Sequence, residues 1–89
     1  VKVTKKQVTK QLWQAIFKDC GVNNLKELKK QEDDRMPIIE GNIDGCVSSL
    51  MRRIENGDVE NQEDLDNYIK EDAVFTIRED LNEIERQFP

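Results

Sequence analysis

The sequence contains no histidine, and among its 89 positions there are only four glycines, two prolines, two cysteines and five aromatic residues. Each scarcity excludes something. Without imidazole, Ser-His-Asp and Cys-His nucleophilic catalysis is ruled out, and the commonest transition-metal ligand is missing. Cys20 and Cys46 stand far apart in the chain and offer no CxxC pair from which a structural zinc site could be built. The apolar runs reach three or four residues, far short of the ~20 that span a bilayer, and the N-terminus carries no apolar leader. The expected compartment is therefore cytoplasmic, with reduced thiols and no membrane partner.

What is present is charge. Asp and Glu number 19 against 14 Lys and Arg, for a net charge of −5, and hydrophobic residues make up only 36% of the chain. A chain of this length hides roughly 64% of its unfolded surface on folding, enough for one modest core and too little for a deep enzymatic cavity. Residues 1–89 are read as a single domain.

The charge is segregated along the chain. The segment from Val1 to Lys30 carries eight lysines against Asp19 and Glu27, a net charge of +6. The segment from Gln31 onward carries six basic residues against 17 acidic ones, a net charge of −11. Two readings are open. One half can serve a charged partner, or the halves can neutralise each other in the fold.

Periodicity points to helices. Thr4-Lys5-Lys6-Gln7 has the form of a capping box. Val8, Leu12, Ala15, Ile16 and Asp19 then recur at helical spacing, with Trp13 and Phe17 on the shoulder of the stripe and Gly21 placed to end the helix. Asn23 or Asn24 caps a short second helix that carries Leu25 and Leu28 inward. Met36-Pro37-Ile38-Ile39 reads as an apolar connector, because proline disfavours helix at the residue before it. A third helix is expected from Ile43 to Glu55, capped by Asn42 and ended by Asn56-Gly57, with Ile43, Val47, Leu50, Met51 and Ile54 on one face. Beyond Asn61, the residues Leu65, Tyr68, Ile69, Ala73, Thr76, Ile77, Leu81, Ile84 and Phe88 keep helical spacing. They form either one rod of about 26 residues, some 39 Å long, or two helices with a break near Glu71–Ala73 and Asp72 as a second cap.

The fold class expected is all-α, a compact bundle of four or five short helices. Its core is drawn from Val8, Leu12, Ile16, Leu28, Ile43, Val47, Leu50, Ile54, Leu65, Ile69, Ile77, Leu81 and Ile84. The alternative is a small α+β domain in which Ile38-Ile39 and Val74-Phe75 pair as short strands.

Several groups are candidate sites. Lys2, Lys5, Lys6 and Lys10, with Lys26, Lys29 and Lys30, are candidates for nucleic-acid binding, since Lys5 and Lys6 sit at the helix end where the dipole disfavours cations. The absence of arginine before Gln31 weakens base-specific readout. Trp13 and Phe17, four apart, are either core residues or aromatic anchors for a partner. Cys46, in the expected first turn of the third helix, is the cysteine whose thiolate the dipole would favour, although its place on the inward stripe suits a buried thiol.

Metal readings are weak. Asp58-Val59-Glu60-Asn61-Gln62-Glu63 opens like a calcium loop, but Glu63 stands where glycine is needed and Ile69 where a bidentate glutamate is needed. Glu71, Asp72, Glu79 and Asp80 face Mg²⁺ only if a second helix supplies further carboxylates. Gly41-Asn42-Ile43-Asp44-Gly45 matches G-x-x-x-G, a pattern with meaning for membrane helices and little in a polar context. No metal and no cofactor are expected.

The leading functional expectation is a small non-catalytic protein-interaction module: a regulator, inhibitor or adaptor. Its acidic C-terminal face (Glu60, Glu63, Asp64, Asp66, Glu71, Asp72, Glu79 and Asp80) would meet a basic protein partner. The alternatives are nucleic-acid binding through the lysines, a Mg²⁺-dependent carboxylate enzyme, and a homodimer held by its oppositely charged ends.

Overall fold

The computed structural model describes residues 3–87, with side chains up to Glu83. Lys2 and Phe88 lie outside the described residues, as does the side chain of Ile84. Helix α1 spans Lys5–Cys20, α2 Leu25–Gln31, α3 Met36–Glu55, α4 Gln62–Tyr68 and α5 Val74–Gln87, with a 3₁₀ turn at Asp33–Arg35 and a π-helical segment at Ile69–Ala73. The fold is all-α. Among the described residues there is no strand: Ile38 and Ile39 belong to α3, and Val74 and Phe75 to α5.

Local chemistry sets most boundaries. The Thr4 hydroxyl accepts from the Gln7 backbone N–H at 3.2 Å while the Thr4 N–H donates to the Gln7 amide oxygen at 2.8 Å, a complete capping box. Gly21 ends α1 at φ 73° and Gly57 follows α3 at φ 85°, left-handed conformations that cost glycine least. Asn24 caps α2 through the Glu27 N–H at 2.9 Å, and Asn61 caps α4 through the Asp64 N–H at 2.9 Å.

Proline behaves differently from the expectation. Met36–Ile39 is the first turn of α3 rather than a connector, so Asn42 sits inside the helix and caps nothing. A proline in the first turn lacks only an N–H that would have had no helical acceptor, and its ring fixes φ near the helical value. Met36 adopts αR geometry despite preceding proline (φ −56°, ψ −43°), and the burial of Met36 and Ile39 (6% and 0% exposed) offsets the local preference.

The rod is continuous. Tyr68, Ile69 and Val74 all keep αR geometry, so α4, the π segment and α5 form a single helical run, and Asp72 is an exposed residue within it instead of a cap. The spacing explains the wide turn. Leu65, Ile69, Ala73 and Ile77 are each four apart and all buried, whereas an α-helix repeats every 3.6 residues and would rotate this stripe by about 40° per step. A π segment accommodates one extra residue and returns the stripe to the core.

Three long helices pack together with α2 across one end. The Gln62 amide donates to Gln11 at 3.0 Å and Arg78 pairs with Asp19, so the α4–α5 rod runs parallel to α1. Arg53 reaches Asp72 while Asn42 lines the same groove as Thr76, so α3 runs antiparallel to the rod. Val8, Leu12, Ile16, Leu28, Ile39, Ile43, Val47, Leu50, Leu65, Ile69 and Ile77 meet in the core. Hiding each such side chain contributes about 1.5–3 kcal/mol.

Two further residues depart from the periodic reading. Leu25 is 38% exposed, because the seven-residue α2 turns Leu28 alone fully inward. Val59, in the loop before α4, is 1% exposed and joins the core. Ile54 and Leu81 are half-buried and pack against the core.

Candidate functional site

Direct ion pairing between the charged halves is sparse among the described residues. Arginine makes the ion pairs: Arg35 with Glu32, Arg53 with Asp72 at 3.8 Å, and Arg78 with Asp19. No lysine among the described residues makes one.

The lysines fall into separate groups. Lys5, Lys6 and Lys10 are exposed on the first half of α1. Lys26, Lys29 and Lys30 are exposed on α2, which sits at the other end of α1, where the Gln31 amide donates to the Cys20 carbonyl at 3.5 Å. The rise of α1 between Lys5 and Cys20 is about 22 Å, so the fold does not gather the six described candidate lysines into one patch.

The acidic candidates divide by what each carboxylate already does. Asp64 accepts the Glu60 N–H at 3.1 Å and so belongs to the start of α4. Asp66 accepts from the Gln62 amide at 2.8 Å, and Asp72 pairs with Arg53. Glu60 lies in the loop before α4, away from the rod's outer stripe. Glu63, Glu71, Glu79 and Asp80 are exposed and make no hydrogen bond or ion pair with the described residues.

Three of these four share a line. Glu63, Asn67, Glu71, Phe75 and Glu79 recur every four residues, two positions out of phase with the buried stripe, so they form the outermost face of the rod. Phe75 is 58% exposed, against 38% for Leu25 and 36% for Ile38, the other exposed large apolar side chains among the described residues. It stands between Glu71 and Glu79, one turn to either side. In the sequence Phe75 is absorbed into a β-leaning stretch; its signal is the four-residue interval from Glu71 and to Glu79.

Trp13 and Phe17 are half-buried, with ring centroids 5.8 Å apart and planes tilted by 34°, and both pack against the core. They lie on the flank of α1 away from Gln11 and Asp19, hence away from the α4–α5 rod.

A groove runs between α3 and the rod. Its central part holds about 330 Å³ over Gly41, Gly45, Ser49, Tyr68, Asp72 and Thr76. Tyr68 and Asp72 also border a second hollow of about 380 Å³ towards Asp58 and Asp64, which extends the groove along the rod. The Arg53 guanidinium lies 4.7 Å above the Tyr68 ring centroid. The Asn42 amide nitrogen is buried at the groove wall without a hydrogen-bond partner.

Cys46 lines this groove in mid-helix, not in a first turn, and the helix dipole gives its thiolate no support. Burial pushes its pKa up, and the carboxylates of Asp72 and Asp80 push the same way. Cys20 is also shifted upward, by burial first and then Glu32, with Arg35 opposing. Both thiols stay protonated near neutral pH. Among the described residues no three of Cys, Asp and Glu are placed to hold a metal ion, and no helix is long and apolar enough to cross a membrane.

Comparison with protein-family models, with curated proteins and with solved structures finds no match to this chain. The surface chemistry carries the functional argument.

Proposed function

We propose that the protein is a non-catalytic interaction module that docks a basic protein through the outer face of the α4–α5 rod. One observation supports this above the others: Phe75, more than half exposed, stands in a file of uncompensated carboxylates at Glu63, Glu71 and Glu79. An exposed aromatic between charges supplies contact area, and the carboxylates steer a cationic partner and exclude other partners. Neutralising these charges internally would have removed the steering field. The fold leaves them open to solvent.

The nucleic-acid alternative has less support, because the described candidate lysines stand in two groups at opposite ends of α1, and the arginines at the α2 end, Arg35 and Arg78, are engaged by Glu32 and Asp19.

The test uses a photo-crosslinking residue at Asn67, beside the file, to capture the partner. The expected partner is a basic protein, and Glu71→Gln with Glu79→Gln slows its association about tenfold at ~50 mM salt, with the difference fading by ~0.5 M as screening takes over. Equal capture by the neutralised variant, or a captured nucleic acid, sinks the proposal.

A further inference from the structure

Gly41 and Gly45 lie inside α3, where glycine weakens a helix relative to alanine. No close packing among the described residues requires them. A Cβ built on either residue meets no atom within 4 Å, so neither makes room for a neighbour, and neither has the positive φ seen at Gly21 and Gly57. Both glycines line the groove between α3 and the rod, and Ser49 continues them at the same interval of four. The G-x-x-x-G pattern therefore marks a wall of low relief facing solvent.

The opposite wall has a definite charge. Asp72 borders the groove, and Asp80 lies near enough to raise the Cys46 thiol. Asp58 and Glu71 border the hollow beyond Tyr68. Arg53 sits over Tyr68 and beside Asp72, which leaves the groove acidic on balance. The length is informative too: Gly41 to Arg53 spans about 18 Å of helix, or more than three turns. That is a linear cradle for a helical segment of similar length.

We infer that this groove receives a cationic α-helix of a partner protein. The helix lays a face of small residues on Gly41, Gly45 and Ser49 and brings lysine or arginine to Asp72 and Asp80. Small side chains on both helices let the two backbones approach closely. The Glu71–Phe75–Glu79 file forms the lip beside it, so the inference rests on the proposed basic partner and specifies its form.

The probe is a fluorescein-labelled helical peptide of about four turns, built from alanine and lysine with alanine on one face. A control peptide of the same charge carries two central prolines. Titration at ~50 mM salt, where screening is weak, is followed by anisotropy and by amide shifts of the ¹⁵N-labelled protein. The helical peptide is expected to bind, to shift the amides of Gly41, Gly45 and Ser49, and to bind about tenfold more tightly than the proline control.

Gly41→Leu with Gly45→Leu is expected to weaken binding at least about tenfold. Gly41→Ala with Gly45→Ala separates docking from folding: it raises Tm by roughly 5–10 °C through helix propensity while weakening the peptide severalfold. Equal binding by the alanine pair, equal binding of the proline control, or salt-dependent dimerisation of the protein alone that occupies the groove overturns the inference. If Phe75→Ala with Glu79→Gln abolishes binding while the glycine variants bind normally, the groove is excluded and the proposed function stands. If the wild type binds neither peptide, the groove inference falls, and capture from Asn67 decides the outer face by itself.

Discussion

Asp19 and Arg78, 59 residues apart, form an ion pair between the end of α1 and the middle of α5. Each is a minority charge in its own half of the chain. Asp19 is one of two acids up to Lys30, and Arg78 is one of six bases beyond it. Their pairing engages one dissenting charge from each half. The basic end is left more basic and the acidic rod more acidic, which suits a surface that acts by long-range attraction.

This pair is expected to matter little for stability. Its side chains are 24% and 55% exposed, so solvent and salt screen it. Asp19→Asn should cost about 0.5 kcal/mol in urea unfolding at low ionic strength, and the difference should vanish at about 1 M salt.

Core and surface aromatics should separate cleanly. Leu12 is 0% exposed, and Leu12→Ala should destabilise by about 3 kcal/mol through lost burial and the cavity left behind. Phe75→Ala should change stability by less than about 0.5 kcal/mol and still weaken partner binding. Calorimetry and a binding titration on the same two variants check both.

The π segment gives an unusual deletion phenotype. Removing Lys70, exposed within Ile69–Ala73, takes out the one residue in excess of the α-helical repeat. The rod should close into an unbroken α-helix with Leu65, Ile69 and Ile77 still facing the core. The expected Tm is within a few degrees of wild type. Deleting Gln14, equally exposed on α1, turns every residue beyond it by about 100° and should unfold the protein. Far-UV circular dichroism during heating distinguishes the two.

The thiols supply a pH dependence. Burial raises both above the ordinary value of 9.0, with Asp72 and Asp80 adding at Cys46 and Glu32 adding at Cys20. A thiol harder to ionise in the folded state contributes its stability fully below the unfolded pKa and loses it as pH rises through the folded one. Stability should therefore be insensitive to these groups at neutral pH and fall above about pH 9. Modification by a disulfide reagent at mildly alkaline pH should be slower than for a cysteine peptide. Asp72→Asn should speed Cys46 and leave Cys20 unchanged, as a mass-resolved time course would show.

Much of the fold is legible in the sequence because it is enforced locally. The Thr4–Gln7 box, the Asn24 and Asn61 caps and the two left-handed glycines each act within a turn of helix. Val8, Leu12 and Ile16, or Ile43, Val47 and Leu50, announce their helices by interval alone. Met36–Ile39 is less legible, since a proline at the start of a helix and one in an extended connector look alike until the burial of Met36 and Ile39 is known. The candidate surface is legible in part. The acidic residues stand out by charge, but which of them cap, pair or remain open depends on neighbours such as Gln62 and Arg53.

By itself, the sequence determined that this is a histidine-free, charge-segregated helical chain with a core of aliphatic stripes, since composition and period are local properties. The tertiary structure alone decided that α4 and α5 run through a π turn, that Phe75 stands outside among carboxylates, and that Asp19 answers Arg78 while the lysines go unpaired among the described residues. Those outcomes depend on how three helices share one core. No helix carries that information in its own spacing.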